Sequence, residues 1–392
     1  MRDETLCQAP TEDLSGGFDS LAVPVYRAST IVFPTVEAYN RRREAMYDGY
    51  SYGLYGTPTT RALEEQISKL EGAARSLVLP SGLSAIALTT LTNVGTGRRV
   101  LFPDNVYDTV RPMAAQLLAA MGIRATFYDP GIAGGIDALI DEDVALVWVE
   151  SPGSVTMEVQ DVPGIVTAAH RRGVPVAADN TWATPLRFKP LAHGVDYSVS
   201  AVSKYLGGHS DVVMGAIAVS DSARYRRLKD FSRYLGYGVS ADNCSLVLRS
   251  ISTLAVRLDR CEQTALELAK WLEGFRSVRE VRHPALPSNP GHDWWRRDFS
   301  GSSGVFSLFL DPGTRGALAP AIESLDLFSI GASWGGTHSI VAVLSEPPPR
   351  EASPGAHDGP IVRLSIGLEH VDDLKADLAQ AMGMLDAVLE RA

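Results

Sequence analysis

The stretch SVSAVSKYLGGHSDVVMGAIAV, residues 198–219, sets a single lysine, Lys204, between two short runs that read as β-strands. An ammonium group is rarely buried without a partner, because stripping its water is costly. A lysine at the end of a buried strand therefore calls for an explanation. If it is desolvated it titrates lower and becomes an amine nucleophile toward a carbonyl.

Working outward, short β-rich runs alternate with helical ones from SLVLP (76–80) to about residue 219. RRVLFP, ALVWVE, VPVAAD, YSVSAV and VMGAIAV read as strands, and TRALEEQISKLEG (60–72), SAIALTTLT and VPGIVTAAHRRG as helices. This alternation predicts an α/β fold with a mostly parallel sheet covered by helices. Beyond residue 220 the pattern changes to the long helical region TLAVRLDRCEQTALELAKWLEGF, the strands SGVFSLFL and IVRLSIG, and a closing helix from VDDLKADL onward. The expected organisation is an N-terminal arm over 1–58, irregular and rich in Tyr, Gly and Pro, a ligand-binding domain over 59–250, and a smaller α+β domain over 251–392. SEPPPREASPGAHDGP (345–360) reads as a surface loop.

Composition narrows the function. Lys plus Arg number 36 against 46 Asp plus Glu, a net charge of −10. That argues against a nucleic-acid binder, whose phosphate contacts need a basic face. The clusters RRR (41–43) and WWRRDF (294–299) read as solvated surface. The first residues lack the apolar core of a signal peptide, and no apolar run has the length of a membrane span. Cys7, Cys244 and Cys261 are scattered without metal-ligand spacing. The expectation is a cytoplasmic protein with reduced thiols, no metal and no membrane or nucleic-acid partner.

Ligands of open α/β sheets sit at the carboxyl ends of the strands, and three features converge there. LPSGLSAI (79–86) places Ser81 and Gly82 between a strand and a helix, where free N–H groups suit a phosphate. Such turns are common in themselves. Asp179 ends VPVAAD; it either caps the chain or holds a cationic nitrogen. Lys204 follows at the end of another strand. Phosphate cradle, carboxylate for a ring nitrogen and lysine for a Schiff base together describe a pyridoxal phosphate (PLP) site.

SAVSKYLGGHSD closely resembles the cofactor-lysine signature of the γ-subfamily of fold-type I, aspartate aminotransferase-like PLP enzymes, those of cystathionine and methionine metabolism. The resemblance spans almost the whole chain through YGLYGTPTTRALEEQISKLEG, PSGLSAI, ESPGSVTMEV, AADNTWATP, TLAVRLDR and IVRLSIGLEHVDDLKADL. NVYD (105–108), HPALP (283–287), GHDWWRRDFSGSSGVFSL (291–308) and SWGG (333–336) look most like the cystathionine β-lyase group.

The resemblance implies that Lys204 carries the cofactor and shuttles the Cα proton, that Asp179 pairs with the pyridine nitrogen, and that Tyr107 stacks on the ring and acts in proton transfer at the amino group. Gly82, Leu83 and Ser203 would hold the phosphate. Arg363 would clamp the α-carboxylate, with Ser333 and Trp334 beside the substrate. Tyr52 would reach cofactor and substrate from a neighbouring subunit, in a homotetramer built of active dimers. The implied reaction is β-elimination of L-cystathionine, a small amino acid, to homocysteine, pyruvate and ammonia. A β- or γ-elimination on another amino acid and a non-catalytic relative are the alternatives. His209 reads as structural rather than as a base. Two positions depart from the family. The arginine of its Y-x-R phosphate clamp is Leu54 here, and Ala332 leaves the pocket roomier.

Overall fold

A computed structural model describes residues 1–8, 21–353 and 357–391. Residues 9–20 of the expected arm and 354–356 of the expected loop lie outside the described residues.

Seven apolar runs assemble the larger sheet: β1 (Arg75–Leu79), β2 (Arg99–Pro103), β3 (Arg124–Tyr128), β4 (Val144–Glu150), β5 (Val176–Asp179), β6 (Tyr197–Ser200) and β7 (Gly215–Val219). Their spatial order is β1-β7-β6-β5-β4-β2-β3. β2 through β6 pair in parallel, so both faces are covered and the strands read as continuous apolar runs. β7 pairs antiparallel with both β6 and β1. The cause lies in the connection 201–214, which contains turns but no helix. Without a crossover helix, the chain returns beside β6 running the other way.

The first helix of the layer, α1 (Pro58–Glu71), starts at Thr57 with a Thr57–Thr60 capping box and stops at Gly72 in the left-handed region. It packs Leu63, Ile67 and Leu70 on one sheet face beside Val162 and Ile165. On the other face lie α2 (Gly82–Asn93) and α3 (Ser222–Tyr234), which contribute Ile86, Leu88, Tyr225 and Leu228. The long helix α4 (Leu254–Leu272) joins two cores. Leu254 and Leu258 belong to that of the larger sheet, whereas Ala265, Leu268 and Leu272 belong to the next.

The second sheet contains β8 (Val278–Arg282), β9 (Val305–Leu310), β10 (Ser329–Ile330), β11 (Ile340–Leu344) and β12 (Ile361–Ser365), in the order β10-β11-β12-β9-β8. All its pairs are antiparallel except β10–β11. The closing helix α5 (Val371–Leu389) covers it with Leu374, Leu378, Met382 and Leu385. No helix among the described residues is long and apolar enough to cross a membrane.

Two regions expected to be irregular carry more order than their composition suggests. The arm forms short helices at Asp3–Leu6 and Val36–Asn40 and a 3₁₀ turn at Gly53–Tyr55. The loop after β11 has no regular structure through residue 353, yet it is anchored. The buried Asp104 carboxylate accepts the N–H groups of Glu351 (2.9 Å), Ala352 (2.8 Å) and Ser353 (3.0 Å), and pairs with Arg111.

Burial opposes the charge of Asp104, but these donors hold its pKa below the ordinary carboxylate value. A lowered folded pKa means that its stabilisation is present above the unfolded value and lost as pH falls through the folded one. Asp104→Ala should destabilise the protein by on the order of 3 kcal/mol, because Arg111 and three N–H groups lose their buried partner. The wild-type advantage in thermal unfolding should shrink in acid. Equal melting of the two proteins at neutral pH would reject the anchor.

Candidate active site

Strand order reverses between β2 and β4, and the carboxyl ends beside that switch point carry the candidate residues. Tyr107 lies just beyond β2, Asp179 ends β5, and Lys204 follows β6.

Lys204 is held from across the molecule. Its Nζ donates to Ser333 Oγ at 2.7 Å and lies 5.4 Å from the centre of the Trp334 ring. Trp334 in turn rests on Tyr205, ring centres 5.7 Å apart. The tight SWGG turn makes this approach possible. Gly335 has φ +81°, and a Cβ there would lie 3.0 Å from the Tyr205 nitrogen and 3.1 Å from the Lys204 carbonyl carbon. Burial, reinforced by the charge of Arg363 and opposed by that of Asp179, lowers the Lys204 pKa to about 8. The neutral amine is therefore far more accessible near neutral pH than in an ordinary lysine, although the charged form still predominates there.

Arg363 comes from the middle of β12 and is buried. Its two terminal nitrogens donate to Ser154 O (3.2 Å) and Ala332 O (2.8 Å), so the fork is oriented by backbone carbonyls alone. Acceptors of this kind leave the positive charge uncompensated and available to a carboxylate. Ala332 contributes that carbonyl, and its side chain is exposed.

Asp179 Oδ1 accepts the Thr181 N–H at 2.9 Å and the Thr181 hydroxyl at 2.5 Å. Directly beside it in the β4–β5 register stands Glu150, a residue that the sequence reading passed over. Glu150 is buried, and its Oε2 accepts the backbone N–H of Tyr107 at 2.7 Å. Burial first, and then the neighbouring Asp179 charge, push the Glu150 pKa up to about 8. Burial raises the Asp179 pKa as well, but the two Thr181 donors and the charge of Lys204 oppose that rise, so of the pair Asp179 is the one that keeps the charge and Glu150 the proton. The available signal was local: ALVWVE ends in a carboxylate at the same strand end as VPVAAD.

At the start of α2, Ser81 and Ser84 form a reciprocal capping box, which leaves the Gly82 and Leu83 N–H groups without acceptors among the described residues. Gly82 permits close packing here, since a Cβ would lie 2.6 Å from that of Ala201. These groups fit PLP one by one: free N–H donors at a helix N-terminus for a phosphate, an anionic Asp179 for a cationic ring nitrogen, and a partly neutral Lys204 for a carbonyl.

Other expected residues are placed differently. Ser203 is adjacent to Lys204, but its hydroxyl donates to Met214 O (3.0 Å) and accepts Met214 N–H (2.9 Å). Tyr52 does not join the others within one chain; it lines a separate cavity on the arm, together with Tyr55 and Arg233. Leu54 turns inward, and a Cβ on Gly238 would lie 2.6 Å from its Cδ1. Exposed His209 contacts Gly207 O at 2.9 Å and Ser250 Oγ at 3.3 Å.

Comparisons with known proteins identify the family. The profile of the family described as Cys/Met metabolism PLP-dependent enzyme matches residues 4–383. A Rhizobium johnstonii protein, provisionally named a cystathionine β-lyase, is 42% identical over 93% of this chain and 92% of its own. An L-alanine/L-glutamate racemase of Wolbachia pipientis is 37% identical over 98% of each chain. The crystal structure of cystathionine γ-synthase from Xanthomonas oryzae pv. oryzae, in complex with aminoacrylate and cysteine, aligns with a TM-score of 0.89 at 26% identity over 99% of both chains.

The raised Glu150 pKa predicts a pH dependence. An acid whose folded pKa exceeds its unfolded one contributes stability at low pH that is lost as pH rises through the folded value. Thermal stability of the cofactor-free protein should therefore fall as pH rises from about 4.5 to about 8 and level off above that. Glu150→Gln keeps an acceptor for the Tyr107 N–H but cannot ionise, so its melting curve should be flatter there. Parallel pH dependences for the two proteins would place the proton elsewhere.

Proposed function

We propose, for a chain that belongs to the Cys/Met metabolism family of PLP-dependent enzymes, that it is a carbon–sulfur lyase cleaving L-cystathionine by β-elimination to homocysteine, pyruvate and ammonia. The observation that carries this reading is Lys204, a desolvated amine held by Ser333 at the sheet's carboxyl edge and facing the charge of Asp179.

PLP, when bound, supplies a sink for the negative charge left at Cα. Lys204 anchors the cofactor and moves the proton at Cα, and Ser333 fixes the position of its nitrogen. Asp179 keeps the pyridine nitrogen protonated. Tyr107, its backbone tied down by Glu150, would lie against the ring. Arg363 receives the α-carboxylate through two parallel N–H donors, which orients the Cα–H bond toward Lys204. Loss of that proton and cleavage of Cβ–S release homocysteine, whose sulfur takes up a proton. Water is consumed in forming pyruvate and ammonia.

The site is completed by Tyr52 of a neighbouring copy, within a cytoplasmic homotetramer built of active dimers. The exposed apolar residues of the arm, Val32, Val36 and Tyr39, support such an assembly because a second copy would cover them.

The racemase relative motivates a second reading, in which the Cα proton is removed and then returned on the opposite face. Incubation with cystathionine and with L-alanine separates the two. Pyruvate with homocysteine marks the lyase, and D-alanine marks the racemase.

Borohydride reduction of the PLP-loaded protein should label Lys204 and no other lysine, and Lys204→Ala should show neither label nor turnover. Lys189, in the same region, is paired with Asp3 at 2.7 Å. A label on Lys189 would refute the site. Arg363→Ala should lower kcat/KM on cystathionine by about 2–5 kcal/mol in transition-state stabilisation. Arg363→Lys should recover only part of it, because an ammonium lacks the planar fork. Full efficiency in the alanine variant would remove Arg363 from this role.

A further inference from the structure

The N–H groups at the start of α2 offer a phosphate hydrogen bonds but little charge. Within one chain, the cations of the site are placed for other groups: Lys204 donates to Ser333, and Arg363, steadied by Ser154 O and Ala332 O, is left for a substrate carboxylate. A phosphate monoester carries roughly −1.5 to −2 charges near pH 7, and a cation supplied by a second copy would balance more of it than the N–H groups do. Leu54 cannot supply one, and it faces its own subunit's interior against Gly238. Arg61, nearby in sequence, is occupied by Glu64 (2.7 Å), Tyr225 Oη (3.0 Å) and Tyr55 O (3.0 Å).

The arm cavity that displays Tyr52 has a volume of about 820 Å³. Three guanidinium groups line it, from Arg42, Arg43 and Arg233, against one carboxylate, Asp230. Arg42 stacks on Tyr39 at 4.0 Å and donates to its carbonyl, whereas Arg43 stands exposed on the rim. Arg233, from the last turn of α3, is the preorganised one. Its guanidinium lies 4.7 Å from the ring centre of Tyr55, in the same turn as Tyr52. Its Nη1 donates to Asp230 at 2.9 Å and to Met46 Sδ at 2.8 Å, its Nε is buried with no partner, and its Nη2 makes no hydrogen bond among the described residues. A stacked guanidinium with an unused donor is poised to accept an oxyanion.

We propose that Arg233, beside Tyr52, forms an anion site that receives the phosphate of the cofactor bound by a second copy of the chain, in place of the guanidinium that Leu54 does not provide. The inference rests on the PLP reading and on Tyr52 acting across subunits. It adds the cation that such a site needs. Asp230, itself bonded by Tyr47 Oη at 2.9 Å, holds Arg233 in position and competes for its charge.

The test is titration of the full-length protein, stripped of cofactor, with PLP and separately with pyridoxal, which lacks the phosphate. Sedimentation is run in parallel. Arg233→Gln should weaken PLP binding about 10- to 100-fold, the value of one charge-assisted contact, and leave pyridoxal binding unchanged. Arg233→Lys should lose less, again only for PLP. Asp230→Asn should hold PLP at least as tightly as wild type, whereas a purely structural Arg233–Asp230 pair would make it loosen. Equal weakening toward both ligands, no change toward either, or the same loss from Arg43→Gln would overturn the assignment to Arg233. If Arg233→Gln does not assemble, the lysine and Asp230 variants decide by the same criterion. Failure of the wild-type protein to bind either ligand would sink the PLP reading itself, a result distinct from tight wild-type binding that Arg233 does not affect.

Discussion

Two carboxyl groups stand side by side at the ends of neighbouring parallel strands, Glu150 on β4 and Asp179 on β5, and both cannot be charged at once away from water. The surroundings decide which one is. Burial raises both pKa values, but Thr181 gives Asp179 two donors and the nearby Lys204 favours its anion. Glu150 keeps its proton and accepts the backbone N–H of Tyr107. This partition settles three features together: a fixed anion for a cationic ring, a lysine whose pKa drop is only partly opposed, and the posture of the tyrosine segment after β2.

The remaining groups approach from the second sheet. Ser333 and Trp334 reach Lys204 from the turn before β11, and Arg363 arrives on β12. α4 runs through both cores, so the lysine-bearing loop and the SWGG turn are carried on one continuous packed body. A site divided between two sheets in this way depends on their registration. The contact between Gly335 and the Lys204 backbone is one place where that registration is tight. A side chain at position 335 would act on Lys204 without touching any substrate.

Much of the fold and part of the site were legible along the chain because their causes are local. Buried parallel strands write themselves as unbroken apolar runs, and a polar residue closing such a run marks the edge where ligands bind. Asp179 and Lys204 could be found by that rule. Glu150 obeys the same rule and was missed, since a carboxylate at a strand end becomes informative only once its neighbour in the sheet is known. The direction of β7 was likewise hidden. The span between β6 and β7 is long enough for a crossover, and only its lack of a helix reverses the strand.

The sequence by itself determined the alternation of elements, the Ser81–Gly82 helix start and the placement of an acid and a lysine at strand ends, because each follows from a few adjacent residues. Tertiary structure alone decided which groups meet. Ser333 pairs with a lysine 129 positions away, Asp104 anchors a loop some 250 residues on, and Arg233 comes to lie in the cavity that displays Tyr52. Charge and hydrogen bonding act over a few ångströms of space, whatever the separation along the chain, so their partners become readable only when the fold has brought them together.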